Sequence, residues 1–528
     1  MPVAEARPRR AGAPPAGVYV AHDWPDVPGV ARRRRAFRSD LLELACDVVV
    51  VGSGAGGAVM AAELAEAGLD VVVLEEGGYH GTEEFTGDAA RAVRTLYRDG
   101  GAQMALGAPP VTFAEGRCVG GSTVINGGMS WRTPEKIVER WRMEHAVAGT
   151  GDLARHFDRV ERFISARHQD EGTVGRDNEL LRVGAERKRW DTIPNVRNQV
   201  HCAGSNNCAF GCPTGAKRST LVSYLPRALA FGARVLAHCR VDRVLLQGKR
   251  ALGVDARILG PGGVTAHRLR VRARRTVVAA GAVQTPALLL RSGVQSPSGA
   301  LGRHLTLHPN AKVSAIFDEK VEGWKGVHQA FQVREFQDEG FLMAAVNIPP
   351  STLAMTLPYY GRAMTDVLDA YDRTVVGGIL VEDTVSGRVR AVGGQAVATY
   401  ALSDFDAERI VRGTALLCEL LFEAGAKRIV LPFEGQRDLL GPDDVRRLFA
   451  RPIPKASMEV VTVHIMGTAR MGEDPTRHVC DSFGRVHEAD GLVVSDASLF
   501  PGPIGVNPME TIMALSTRNA ERLLETWS

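Results

Sequence analysis

The first dense block of hydrophobic positions is Cys46-Asp47-Val48-Val49-Val50-Val51, a β-branched run of strand length that stops at Gly52. A run this uniformly apolar has no polar face, so it predicts a strand buried on both sides, as in a parallel sheet. Glycines follow at 52, 54, 56 and 57, then a helix-like stretch over Ala58–Ala67, Gly68 as its stop, and a second apolar strand over Asp70–Leu74. Strand, helix and strand within about 30 residues make a βαβ unit. Two more runs of the same character lie far downstream, Arg275–Gly281 and Gly491–Asp496. Buried strands so widely separated predict an α/β protein whose Rossmann-like nucleotide-binding domain is assembled from discontinuous pieces. The Pro- and Arg-rich stretch before Leu41 reads as a tail or surface arm.

Between the second and third blocks the pattern changes. Lys312-Val313-Ser314-Ala315-Ile316-Phe317 alternates polar and apolar, and Asp404–Ala424 carries a helical, amphipathic period. Residues 310–455 are therefore expected to form an inserted mixed α/β domain that supplies a substrate pocket. The expected division is a basic tail at 1–43, a first nucleotide-binding part at 44–309, the insert, and a C-terminal part at 456–528.

Composition narrows the class. With 528 residues, 45% hydrophobic and 23% charged, the chain has the make-up of a globular protein of several domains. No apolar run approaches the roughly 18–20 residues of a membrane helix, and eight Cys are too few for a disulfide scaffold. The net charge of +4 lies entirely in residues 1–40, where Arg7, Arg9, Arg10, Arg32–Arg35 and Arg38 outnumber four acids. The body is balanced, so it offers no electrostatic footprint for nucleic acid. Arg9-Arg10 invites a twin-arginine reading, but the next twenty residues contain four Pro, His22 and two Asp in place of an apolar segment. A cytoplasmic location is expected. The Arg32–Arg35 run reads as a solvated tail or as a contact for an anionic membrane surface.

Gly52-Ser53-Gly54-Ala55-Gly56-Gly57 satisfies the dinucleotide fingerprint directly after a strand and before a helix. Gly52 permits the tight turn, Gly54 lets backbone approach a pyrophosphate, and Gly57 lets helix pack on strand. Glu75 stands about 20 residues on, where a carboxylate accepts hydrogen bonds from ribose hydroxyls. The fingerprint alone does not separate NAD from FAD.

Three further segments carry a resemblance. They are Gly116-Arg117-Cys118-Val119-Gly120-Gly121-Ser122-Thr123-Val124-Ile125-Asn126, then Gly281-Ala282-Val283-Gln284-Thr285-Pro286 through Val294, and His464-Ile465-Met466-Gly467-Thr468 with Asn507-Pro508-Met509-Glu510-Thr511. In these the chain resembles the glucose–methanol–choline (GMC) oxidoreductases, FAD-dependent enzymes that oxidise alcohols. The resemblance spans 44–528 and is weakest over 310–455. It implies that Gly120, Ser122 and Asn126 lie along the flavin, that Asp496 contacts it, and that Thr511 opens a helix pointing at the ring. It also implies that His464 and Asn507 are the catalytic pair, with His464 accepting the hydroxyl proton as hydride leaves for flavin N5. Three departures stand out. Trp131 comes five positions after Asn126 where the family's aromatic comes four after, Gln295 replaces a glycine, and Ile125 stands where covalent FAD attachment uses His. Non-covalent FAD is expected. Asp242, His308 and the remaining histidines receive no role from sequence.

Cys202, Cys208 and Cys212 fall within eleven residues on a Gly/Asn-rich loop, 201–217, and Pro213 follows the last. Closely spaced thiolates on such a loop can hold an iron–sulfur cluster, and the segment is similar to the cluster loop of FAD-dependent sugar dehydrogenases. It is equally similar to bacterial relatives of long-chain alcohol oxidases, many of which have a Cys-rich loop here with no cluster described, and free thiols, another metal or a redox disulfide are the other readings of the loop. The apolar run Phe341–Val346 with Leu353, Met355, Leu357, Tyr359 and Tyr360 suits a long-chain or otherwise apolar alcohol, unless these residues simply build the insert's core. The alternatives are a sugar or polyol dehydrogenase, a flavin-bound lyase, and a non-catalytic flavoprotein. Electrons would pass to oxygen, to a carrier protein or to a quinone.

Overall fold

The computed structural model describes residues 14–20, 27–35 and 38–527, and every absence stated below refers to them. Arg7, Arg9 and Arg10 lie outside the described residues, as do the side chains of Arg32–Arg35 on which a membrane contact was expected to rest. No helix among the described residues is long and apolar enough to cross a membrane.

The first sheet is built around β1 (Arg38–Val51), which leads through helix α1 (Ala55–Glu66) to β2 (Val71–Leu74). Val48, Val49 and Val50 have no exposure, as a strand covered on both faces requires. Farther along come β3 (Arg234–Leu236), β4 (Cys239–Gln247), β5 (Arg250–Leu259) and β6 (Thr265–Val278), followed by helix α2 (Gly281–Arg291). β3, β2, β1 and β6 pair in parallel in that spatial order, and β5 and β4 add an antiparallel meander on β6.

β1 starts eight residues before Cys46, and Ala31–Arg35 pairs with it antiparallel, Ala31 opposite Glu43. The stretch expected as a tail or surface arm therefore contributes a strand to the first sheet. The early half of β1 alternates, burying Leu42 and Leu44 to 2% and 3% exposure, so it carries no continuous apolar run to be read.

The second sheet contains β7 (Asn310–Ile316), β8 (Phe341–Val346) and β9 (Thr374–Val381), with helix α3 (Asp404–Glu423) laid against one face. Ile410, Leu417, Leu420 and Leu421 of α3 pack there against Val313, Met343 and Ile379. The sheet is not confined to 310–455. Gln103–Ala105, Val111–Phe113, Thr192–Pro194 and β10 (Val460–Thr462) all belong to it. Short edge strands from both flanks close the insert onto the first domain, and β10 runs directly into His464. The chain then returns to the first sheet as β11 (Leu492–Val494), parallel to β6 with Val493 opposite Val277. Helix α4 (Met509–Glu525) ends the described chain, packed on α1.

Candidate functional site

Two sets of residues converge where β1, β2 and β11 end. The first is the glycine turn. Gly52 adopts φ 98°, a left-handed conformation, and a Cβ on it would stand 2.4 Å from the carbonyl oxygen of Ala279. A Cβ on Gly57 would stand 2.0 Å from the carbonyl oxygen of Gly52, and one on Gly56 1.7 Å from that of Ser495. These glycines let α1 sit against the strands. Gly54 differs, because a Cβ there meets nothing within 4 Å. It faces open space at the N-cap of α1, where the first-turn N–H groups have no intrahelical acceptor. An open concavity lined with outward N–H groups fits a diphosphate.

Glu75 is placed at the end of β2 as expected. Its Oε2 accepts from the N–H (3.1 Å) and hydroxyl (2.7 Å) of Ser53, and its Oε1 from the N–H of Gly77 (2.8 Å). Oε1 retains a lone pair for a ribose hydroxyl. The Ser53 hydroxyl in turn accepts the N–H of Gly120 at 2.9 Å, so the glycine turn, Glu75 and the 116–126 loop are tied together. Burial pushes the Glu75 carboxyl above its ordinary range.

In that loop, Ser122 accepts the N–H of Gly116 (3.0 Å) through its hydroxyl. The Asn126 carbonyl accepts the N–H of Gly128 (3.1 Å), and its amide meets the Met509 sulfur at 2.9 Å. Thr511 is fully buried and bonds Thr133 hydroxyl to hydroxyl at 2.9 Å. One oxygen of Asp496 accepts from Gly281 N–H (2.9 Å) and the Thr285 hydroxyl (2.5 Å), the other from the N–H (2.8 Å) and hydroxyl (2.5 Å) of Ser498, so its carboxylate knits α2 to the residues after β11.

The second set gathers around His464. Nε2 of His464 lies 3.2 Å from the amide nitrogen of Asn507, so the fold joins two residues that are 43 apart in sequence and that the family resemblance pairs. Sequence reading missed the third member. His308 places Nδ1 at 3.2 Å from Nδ1 of His464, and its Nε2 accepts the N–H groups of Ile504 (3.3 Å) and Gly505 (3.1 Å). Its own proton therefore sits on Nδ1, facing His464. His308 adopts φ 45°, unusual outside glycine. That backbone is held by Asp383, which accepts the N–H of Leu307 (2.8 Å) and of His308 (3.2 Å) and the Tyr400 hydroxyl (3.1 Å). A strained residue fixed by a buried acid is a mark of a functional site. Burial holds His464 down to about 4 and His308 well below the ordinary imidazole value, so both rings are neutral. Only the contacts made across the fold give His308 away, and no local pattern in sequence could have done so.

The cysteine loop does not behave as a cluster site. Among the described residues no group of three or more His, Cys, Asp or Glu is arranged to hold a metal ion, so the iron–sulfur expectation is not supported. Each sulfur has a protein donor of its own. Cys202 accepts from Gly204 N–H (3.5 Å), Cys208 from the Arg197 guanidinium (3.4 Å), and Cys212 from Lys217 N–H (3.4 Å). The Lys217 ammonium donates to the carbonyls of Val124 (2.8 Å), Asn126 (2.7 Å) and Cys208 (2.6 Å), bracing this loop against the 116–126 loop.

Comparison with known proteins agrees with this geometry. Residues 93–310 and 386–516 match the N- and C-terminal parts of the GMC oxidoreductase family, and 50–103 match an NAD(P)-binding Rossmann-like domain. An uncharacterized GMC-type oxidoreductase of Mycobacterium tuberculosis is 38% identical, over 90% of this chain and 75% of its own length. A long-chain-alcohol oxidase of Arabidopsis thaliana is 28% identical over 92% of this chain and 67% of its own. Among solved structures, an Aspergillus oryzae formate oxidase studied for modification of its FAD superposes with a TM-score of 0.69 at 14% identity, covering 91% of this chain and 98% of that one. With a relative this similar over nine tenths of its length, the chain belongs to the GMC oxidoreductase family.

Proposed function

We propose that this protein is an FAD-dependent oxidoreductase that converts an apolar or long-chain alcohol to its aldehyde or ketone. The observation that carries the reading is the His464–Asn507 pair at 3.2 Å, His464 buried and braced by His308 and Asn507 half-buried. The first-turn N–H groups of α1, Glu75 and Gly120 are the groups that would hold the FAD. Ile125 offers no nucleophile for covalent attachment. When bound, the flavin supplies the acceptor for hydride.

The chain's own part is positioning and proton handling. Nε2 of His464 and the Asn507 amide grip the hydroxyl oxygen from two sides. Nε2 of His464, when it carries no proton, takes the hydroxyl proton and the ring becomes the imidazolium, while the Asn507 amide holds the oxygen. General-base assistance of this kind contributes about 10²–10⁴-fold. Only a neutral His464 can accept that proton, and burial keeps the ring neutral. The apolar choice of substrate is supported by Val463, which is 70% exposed directly beside the buried His464, and by the name of the Arabidopsis relative. Oxygen, a carrier protein or a quinone would reoxidise the enzyme. Anaerobic titration of the FAD-loaded protein with decanol tests the reading, with bleaching of the flavin band as the expected result.

A further inference from the structure

Proton handling by His464 and Asn507 makes no use of the cysteine loop, yet that loop is chemically distinct. Cys202, Cys208 and Cys212 all line one small cavity of about 10 Å³, together with Arg197, Lys217 and His328. A space of that size holds about one water molecule, so the three sulfurs border a gap of atomic dimensions. They are near enough to feel one another's charge. Burial pushes the Cys202 thiol up, and Cys208 and Cys212 push it further.

Hydrogen bonding sorts the eight free Cys. Cys46 donates its S–H to the carbonyl of Arg272 (3.9 Å) and Cys118 to that of Gly121 (3.8 Å), so each acts as a neutral thiol. The three loop sulfurs accept instead, from Gly204 N–H, the Arg197 guanidinium and Lys217 N–H. Donors aimed at sulfur, with a guanidinium and an ammonium in the same cavity, stabilise thiolate. Cys212 gains most. Burial alone would raise it, but the Lys217 N–H and the Thr214 hydroxyl, 3.5 Å away, outweigh that and hold it below the ordinary thiol value. Cys46 by contrast is pushed up to about 12, chiefly by burial. Cys202 and Cys212 are part-exposed, whereas Cys208 is buried.

Cys212 is also wired to the dinucleotide end. Lys217 donates its backbone N–H to the Cys212 sulfur and its ammonium to the carbonyls of Cys208, Val124 and Asn126. A change at that sulfur reaches the 116–126 loop through a single residue.

We propose that Cys202 and Cys212 are a peroxide-sensitive thiol pair, whose oxidation to a disulfide loosens the hold of Lys217 on the 116–126 loop. The Cys212 thiolate attacks one oxygen of hydrogen peroxide, the O–O bond breaks, and hydroxide leaves behind a sulfenic acid. The Cys202 thiol then attacks that sulfur. The S–O bond breaks, the S–S bond forms, and the sulfenic oxygen departs as water with the Cys202 proton. Two thiols give up two electrons and the peroxide takes them. Drawn to Cys202, the Cys212 sulfur leaves the Lys217 N–H. The consequence for FAD rests on the flavin reading above, whereas the thiol chemistry does not.

The test uses the full chain loaded with FAD, reduced with dithiothreitol, desalted and titrated anaerobically with hydrogen peroxide. Alkylated peptides are mapped by mass spectrometry, and FAD release is followed by free-flavin fluorescence. One peroxide per chain is expected to join Cys202 to Cys212 and leave Cys46 open to alkylation. FAD release then speeds up about 2- to 10-fold, the scale of one lost hydrogen bond, and dithiothreitol reverses both changes. Cys202→Ser stops at the sulfenic acid on Cys212, captured by dimedone, and Cys212→Ser protects Cys202. Thiols that survive excess peroxide, a disulfide through Cys208, or a Cys202–Cys212 disulfide with unchanged FAD release overturns the proposal. Stoichiometric iron that disappears in Cys208→Ser overturns it as well. Protein that forms the Cys202–Cys212 disulfide but takes up no FAD upholds the thiol pair and overturns the flavin reading.

Discussion

Nδ1 of His308 lies 3.2 Å from Nδ1 of His464, although 156 residues separate them in sequence. The same His308 ring accepts the N–H groups of Ile504 and Gly505, three and two residues before Asn507. One side chain therefore holds both halves of the pair proposed to be catalytic, and its backbone is in turn held by Asp383.

Removing that brace should cost alignment and leave the fold intact. His308→Ala is expected to slow flavin reduction about 10²-fold, the scale of a misplacement of about 1 Å, with FAD content unchanged. Stopped-flow reduction against flavin absorbance checks it. A rate equal to wild type would make His308 mere filling.

Asp383 should act through His308. Asp383→Ala leaves the N–H groups of Leu307 and His308 and the Tyr400 hydroxyl without their acceptor, each a loss of about 1–3 kcal/mol. The melting temperature is expected to fall and the reduction rate to fall with it. A variant that melts lower yet reduces flavin at the wild-type rate would separate Asp383 from catalysis.

The pH profile follows from burial. His464 is neutral above about 4, because desolvation disfavours its charged form. Activity that needs the neutral ring is lost as pH falls through about 4 and is flat above it. A solvent-exposed imidazole would instead inflect near about 6.5. Flavin-reduction rates from pH 4.5 to 8 should show no histidine inflection, and a clear one near 6.5 would refute the assignment.

Two glycines of the turn should fail differently. Gly57→Ala drives a methyl into the Gly52 carbonyl, 2.0 Å away, and is expected to lower both melting temperature and FAD content. Gly54→Ala meets no protein atom, so the protein keeps its melting temperature and loses affinity for FAD. Thermal melts of the apo protein paired with FAD titration distinguish the two.

The cysteine loop is expected to serve as a brace. Lys217→Met frees the carbonyls of Val124 and Asn126 and should lower FAD occupancy. Cys208→Ser should leave the visible spectrum that of flavin alone. Iron in stoichiometric amount that disappears with Cys208 would restore the cluster reading.

The nucleotide-binding half was legible because its cues are local. Val48–Val51 form an unbroken apolar run, the glycines sit at fixed offsets, and Glu75 follows at the right distance. The alternating half of β1 was hidden because Leu42 and Leu44 look like any amphipathic stretch. Position was legible for Asp496 but contact was not, since only the fold brings Gly281, Thr285 and Ser498 to its four lone pairs. Spacing gathered Cys202, Cys208 and Cys212 onto one loop, yet it could not reveal that Arg197 and Lys217 would enter among the sulfurs. His308 was invisible for the same reason, because its partners His464, Ile504 and Gly505 are distant in sequence.

The most direct test of the account is anaerobic mixing of the FAD-loaded protein with decanol, in wild type and in His464→Ala and Asn507→Ala. Bleaching of the flavin in wild type, slowed about 10²–10⁴-fold in His464→Ala at equal FAD content, is the result the account predicts. A flavin that stays oxidised in the wild-type protein, or one bleached equally fast without His464, would contradict it.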